Sequence, residues 1–201
     1  QVKRFKLRIP AAAGKVETVI DDPQAERRGL LLLAHPHPLH GGSLDNKVIT
    51  TLAKAAVELG WVAVRPNFRG VGMSEGSFDA GVGETEDLLA VVRFVQENYP
   101  NLPWVLAGFS FGAYVQHRLR QQLDARRLIL VAPAVTLYEF DPVPADTVVI
   151  IGDADELIAP AAMRQWTHRQ HLALKVIPGA GHFFHGKLKE LKEAFVEACP
   201  C

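Results

Sequence analysis

From Gly29 onward, short apolar runs alternate with longer amphipathic stretches, and this alternation constrains the fold more than any other feature of the chain. The runs "GLLLLAH", "WVAVRP", "PWVLAGF", "RLILVAP", "TVVIIGD" and "LALKVIP" carry almost no alternating polar positions, so they predict strands buried on both faces. Between them, residues 44–59, 84–99, 111–123 and 160–171 have helical spacing, and 187–198 closes the chain as a further helix. Strands alternating with helices in this way predict βαβ units and a mostly parallel, doubly wound sheet. Ahead of them, residues 5–9 and 16–20 alternate on either side of the turn "AAAGK", which predicts an antiparallel pair at the N-terminal edge. No internal repeat or linker interrupts the pattern. The expectation is one α/β domain over residues 1–201, since a chain of this length with 48% hydrophobic residues can bury about 70% of its unfolded surface.

Lys plus Arg and Asp plus Glu number 22 each. A formal charge of zero provides no single-sign field for nucleic acid or acidic lipid, so neither is expected as a partner. No run approaches the roughly 20 apolar residues of a membrane span, and "QVKRFKLRIP" lacks the apolar core of a secretion signal. Cys199 and Cys201 flank Pro200 at a spacing that disfavours an intrachain disulfide. These features predict a cytoplasmic protein, as a monomer or homodimer, acting on a small molecule.

In a doubly wound sheet ligands bind at the carboxyl ends of the strands, so the loops there are the first candidates for chemistry. Gly108-Phe109-Ser110-Phe111-Gly112 fits G-x-S-x-G, with a buried strand before it and a helix after it. A strand that turns sharply into a helix strains the central residue, and flanking glycines remove Cβ atoms that would strike the neighbouring elements. Ser110 is therefore the candidate nucleophile. A serine hydroxyl needs a base to take its proton. His182, in the loop "IPGAGHFF" after the last strand, fits that role better than His185, which sits beside Gly186 where the final helix begins. His117, His168 and His171 fall within helices and are expected at the surface.

An imidazole acting as base needs a carboxylate to set its tautomer. Asp153, Asp155 and Glu156 follow "TVVIIG", and Asp155 is preferred because the chain must leave the strand before a side chain can reach the histidine loop. Asp153 is read as a turn former. The order Ser, Asp, His agrees with this type of sheet. For the oxyanion, the Phe111 amide is one candidate donor. Pro36 and Pro38 have no N–H, which leaves His37 and Leu39 as candidates for the second, with a slight preference for Leu39. His35, His37 and His40, separated by prolines and with no acidic or cysteine ligand nearby, do not suggest a metal site, and no cofactor motif is present.

Taken together, "HPHPLHGGSLDNKVI", "RPNFRGVGMSEG", "GFSFG", "IGDADELI" and "PGAGHFF" resemble the α/β-hydrolase superfamily, and in particular its small lidless bacterial serine hydrolases of the dienelactone-hydrolase-like kind. The resemblance implies an α/β-hydrolase fold, a triad of Ser110, Asp155 and His182, and a structural role for the loop containing Arg69. Dienelactone hydrolases themselves carry cysteine at the position of Ser110, so the resemblance does not carry their substrate over. Residues 132–146 leave too little chain for a helical lid, and the pocket is expected to be open, flanked by Phe109, Phe111, Phe183 and Phe184. The resulting expectation is a carboxylesterase-type serine hydrolase acting through an acyl-enzyme, with thioesters or amides as alternative substrates and a noncatalytic binding protein of the same fold as the competing class.

Overall fold

In the computed structural model, which describes residues 1–200, every apolar run identified above becomes a strand of one eight-stranded sheet. The strands are β1 (Lys3–Ala11), β2 (Gly14–Asp22), β3 (Gly29–Ala34), β4 (Trp61–Pro66), β5 (Trp104–Phe109), β6 (Arg127–Val131), β7 (Val148–Gly152) and β8 (Ala173–Ile177). They lie in the order β1-β2-β4-β3-β5-β6-β7-β8. β1 pairs antiparallel with β2 and β2 antiparallel with β4, while β3 to β8 run parallel. All residues of β3, β4 and β5 are buried, which is why these strands show no polar alternation.

Among the described residues five α-helices connect or follow the strands: α1 (Lys47–Glu58), α2 (Val82–Gln96), α3 (Phe111–Arg120), α4 (Pro160–Arg169) and α5 (Leu188–Ala198). The helices differ from the expected spans at their ends, where side chains decide. Asn46 Oδ1 accepts the Val48 and Ile49 amides at 2.9 and 3.2 Å, so α1 starts at Lys47 and leaves Leu44 in the preceding loop. Glu84 accepts the Asp79 and Gly81 amides at 2.8 and 2.9 Å, which moves the start of α2 back to Val82. α1 buries Val48, Ile49, Leu52, Ala53, Ala55 and Ala56, one stripe of a 3.6-residue repeat, against β3 and β4.

The chain moves from β3 toward the N-terminal edge to form β4, crosses back to β5, and then proceeds toward the opposite edge. Right-handed crossovers in opposite directions put α1 and α3 on opposite faces, so the loops after β3 and β5 diverge. The crevice between them is where such a sheet holds a ligand. No described helix is long and apolar enough to cross a membrane.

His117 departs from its expected surface position. It is buried on α3, with Nδ1 2.7 Å from the Tyr114 carbonyl and Nε2 accepting the Asp141 amide at 3.0 Å. Burial pushes its pKa down, and the neutral ring ties the segment between β6 and β7 to α3. That segment contains no helix. Of the two cysteines, Cys199 is a buried free thiol and Cys201 lies outside the described residues.

Candidate active site

Ser110 stands between β5 and α3 with φ 59° and ψ −113°, a conformation that L-residues rarely adopt. Two glycines make the turn possible. A Cβ on Gly112 would fall on the Ala34 carbonyl oxygen, and one on Gly108 would fall on the Gly112 carbonyl oxygen. The close approach of α3 to β3 and β5 therefore depends on bare backbone, and it sets Ser110 at the first turn of α3, where amides have no intrahelical acceptor.

His182 lies 3.0 Å from this hydroxyl through Nε2, and its Nδ1 lies 2.7 Å from Asp155 Oδ2. With the imidazole proton on Nδ1 and donated to Asp155, Nε2 is left to accept the Ser110 hydroxyl. All three residues are buried, the serine least completely. Asp155 is held from behind, since its Oδ1 accepts the Leu157 and Ile158 amides at 2.8 Å each. The adjacent acids take other duties. Asp153 Oδ1 accepts the Gly179 amide at 2.7 Å, a tie between two loops where the sequence suggested a local turn former, and Glu156 Oε2 accepts the His182 amide at 3.2 Å. Both brace the loop that carries His182, a role for Glu156 that no sequence pattern signals.

A cavity of about 490 Å³ opens at Ser110, lined in part by His37, His40, Phe111, Leu137, Tyr138, Leu157 and Phe183. Phe111 and Phe183 flank it as expected. Phe109 and Phe184 do not: neither lines the cavity, and Phe109 instead packs 5.1 Å from the His182 ring. Being apolar and close to Ser110 or His182 in sequence does not distinguish a residue beneath the site from one in its wall. Tyr138 and Leu137 enter from the segment between β6 and β7, where the cluster "TLYEF" was the available signal.

In the loop after β3 the two donor candidates separate. The Leu39 amide is already bonded to His37 Nδ1 at 3.2 Å, and Leu39 stands outside the cavity wall. His37 lines the cavity beside Phe111. His35 is buried and engaged at both nitrogens, with Nδ1 at 2.7 Å from the Pro36 carbonyl and Nε2 accepting the Phe68 amide at 3.0 Å. Among the described residues no three His, Cys, Asp or Glu side chains cluster as a metal site requires. Arg69 clasps Asp87 through Nε and Nη2 at 2.7 and 2.9 Å and donates to the Gly83 carbonyl, outside the cavity lining, as a brace for the loop before α2.

A parallel sheet with an antiparallel edge, a strained serine between β5 and α3, and a histidine loop after the last strand define a member of the α/β-hydrolase superfamily. The comparisons agree. A lidless α/β serine hydrolase from Xanthomonas campestris superposes with a TM-score of 0.92 at 39% identity, covering 98% of this chain and 93% of that one. An α/β serine hydrolase homologue from Coxiella burnetii gives 0.90 at 40% identity, covering 98% and 97%. An uncharacterized protein of Rickettsia prowazekii is 33% identical over 90% of this chain and 82% of its own length. Residues 26–144 match the family described as serine aminopeptidase S33, and the chain belongs to that family.

Proposed function

We propose that this serine hydrolase cleaves carboxylic esters of small uncharged substrates through an acyl-enzyme on Ser110. The observation that carries the proposal is the hydrogen-bonded line from Asp155 through His182 to Ser110, ending in a largely apolar cavity. Ser110 Oγ attacks the carbonyl carbon while its proton passes to His182 Nε2, and Asp155 stabilises the resulting imidazolium. The negative charge on the carbonyl oxygen is received by the amides of Phe111 and His37, each such donor contributing about 3 kcal/mol. The bond to the alcohol oxygen then breaks, and that oxygen takes the proton from His182. In the second half, water attacks the acyl carbon, gives a proton to His182, and the ester bond to Ser110 breaks as Oγ recovers a proton. Acid is released and the free serine is restored.

The family description raises a second reading, cleavage of an N-terminal residue from a peptide. Such a substrate presents an ammonium group, which calls for a carboxylate in the pocket wall. No Asp or Glu lines this cavity, and the nearby Asp155 already has both oxygens engaged. Desolvating an unpaired ammonium against apolar walls is costly, so uncharged acyl groups fit better. A fluorophosphonate probe tests the proposal: folded protein acquires one phosphonyl adduct on Ser110, Ser110→Ala acquires none, and a panel of esters, thioesters and aminoacyl amides ranks the esters first. Folded protein without an adduct would refute the enzymatic reading in favour of a binding protein of this fold.

A further inference from the structure

The cavity wall is more aromatic than an aliphatic acyl chain requires. His40 stacks on His37 with ring centroids 4.4 Å apart, His37 lies 5.1 Å from Phe111, and Phe111 lies 5.6 Å from Tyr138. These four rings form a continuous row along the cavity that Ser110 opens into, and Phe183 adds a further ring to its lining. The row is held in place from outside. Phe78 packs on both His37 and Phe111, at 4.9 and 5.6 Å, and Tyr114 stacks on Tyr138 at 4.4 Å with the planes 17° apart. Phe111 is buried within the row and fixes it, while the partly exposed rings of His37, His40 and Tyr138 have edges and faces left for a ligand. Aromatic partners in offset or edge-to-face contact gain about 0.5–1.5 kcal/mol beyond their area, an advantage that a saturated ring of similar size does not receive.

We propose that the substrate of this site carries a planar aromatic ring, so that the enzyme is an aryl-group esterase with Tyr138 as a specificity-determining residue. The inference rests on the reading of Ser110 as nucleophile. It accounts for the composition of the wall, in which apolar bulk alone would be served by the Leu and Ile residues that predominate in the sheet core. Tyr138 contributes its ring from a segment with no helix, positioned by Tyr114 below it, and its hydroxyl has no hydrogen-bond partner among the described residues. Burial pushes that phenol's pKa up, so it remains a neutral donor for an oxygen substituent on the substrate ring.

Matched ester pairs test this on the intact protein: methyl 3-phenylpropionate against methyl 3-cyclohexylpropionate, and benzyl acetate against cyclohexylmethyl acetate. At least one pair should favour the aromatic member in kcat/KM by about two- to tenfold. Tyr138→Leu should bring that ratio close to one, while Tyr138→Phe should preserve most of it, and because the readout is a ratio it is insensitive to a general loss of active protein. Parity in both pairs, in protein whose Ser110 is labelled by fluorophosphonate and which hydrolyses methyl butyrate, overturns the aryl assignment and leaves the hydrolase reading intact. A ratio unchanged in Tyr138→Leu also overturns the role given to Tyr138. Failure of labelling removes both readings together.

Discussion

Two oxygens on one side chain separate Asp155 from its neighbours. Oδ1 is fixed by the Leu157 and Ile158 amides, so only Oδ2 can face His182. In Asp155→Asn the amide oxygen keeps the two backbone donors and its NH2 group is turned toward Nδ1, which must then be unprotonated. The ring proton moves to Nε2, where nothing remains to accept the Ser110 hydroxyl, and kcat on a soluble ester should fall by about 10³–10⁴-fold. Asp153→Asn retains an oxygen for the Gly179 amide and should leave turnover nearly unchanged. Steady-state kinetics of both variants check this, and a crippled Asp153 variant would show that the acid is misassigned. At this scale Ser110, Asp155 and His182 are legible in the sequence because each residue type is demanded at the end of a particular strand. Phe109, Phe184 and His117 are not, because periodicity names a helix or strand but not what the neighbouring loops lay over it.

The sequence marks every strand, the central ones β3 to β5 because burial on both faces removes polar alternation, and the antiparallel edge pair because alternation is retained there. It marks helix ends less well, because Asn46 and Glu84 act through hydrogen bonds that no periodic pattern records. The same holds for His35, at the end of β3, whose Nε2 accepts an amide from the loop after β4. The tie exists only while Nε2 is unprotonated. Burial pushes the folded-state pKa down to about 4, against about 6.5 for an unfolded histidine. Between those values the unfolded chain binds the proton and the folded chain does not. The contribution of this neutral ring is therefore complete above about pH 6.5 and is lost as pH falls toward 4, a change on the order of 3 kcal/mol. His117, also pushed down by burial, acts in the same direction. Urea unfolding at pH 7 and pH 4.5 should show a lower midpoint in acid, and His35→Asn, which keeps an acceptor without the titration, should shrink the difference. An equal fall in both proteins would place the acid sensitivity elsewhere.

For the molecule as a whole, the decisive feature is what stands over Ser110. The segment between β6 and β7, where a lid could be inserted, has no helix and is tied down along its length. Tyr138 stacks on Tyr114, the Asp141 amide donates to His117, Gln121 donates to the Asp141 carboxylate at 2.9 Å, and the Val143 amide donates to Gln170 at 3.4 Å. Activation at a lipid surface needs a cover with two states, of which the surface favours the open one. A wall braced to α3 and α4 has no second state to favour. Hydrolysis should therefore follow simple saturation as substrate concentration passes the solubility limit, with acetyl to butyryl esters outpacing long-chain esters at equal concentration, because a cavity of about 490 Å³ gives a long chain no apolar course to follow. Initial rates measured across that limit decide the matter. A sharp rise on droplet formation would mean that another segment moves, and the geometry points to residues 72–83, which carry Phe78 against His37 and Phe111 and would uncover the aromatic row by swinging away.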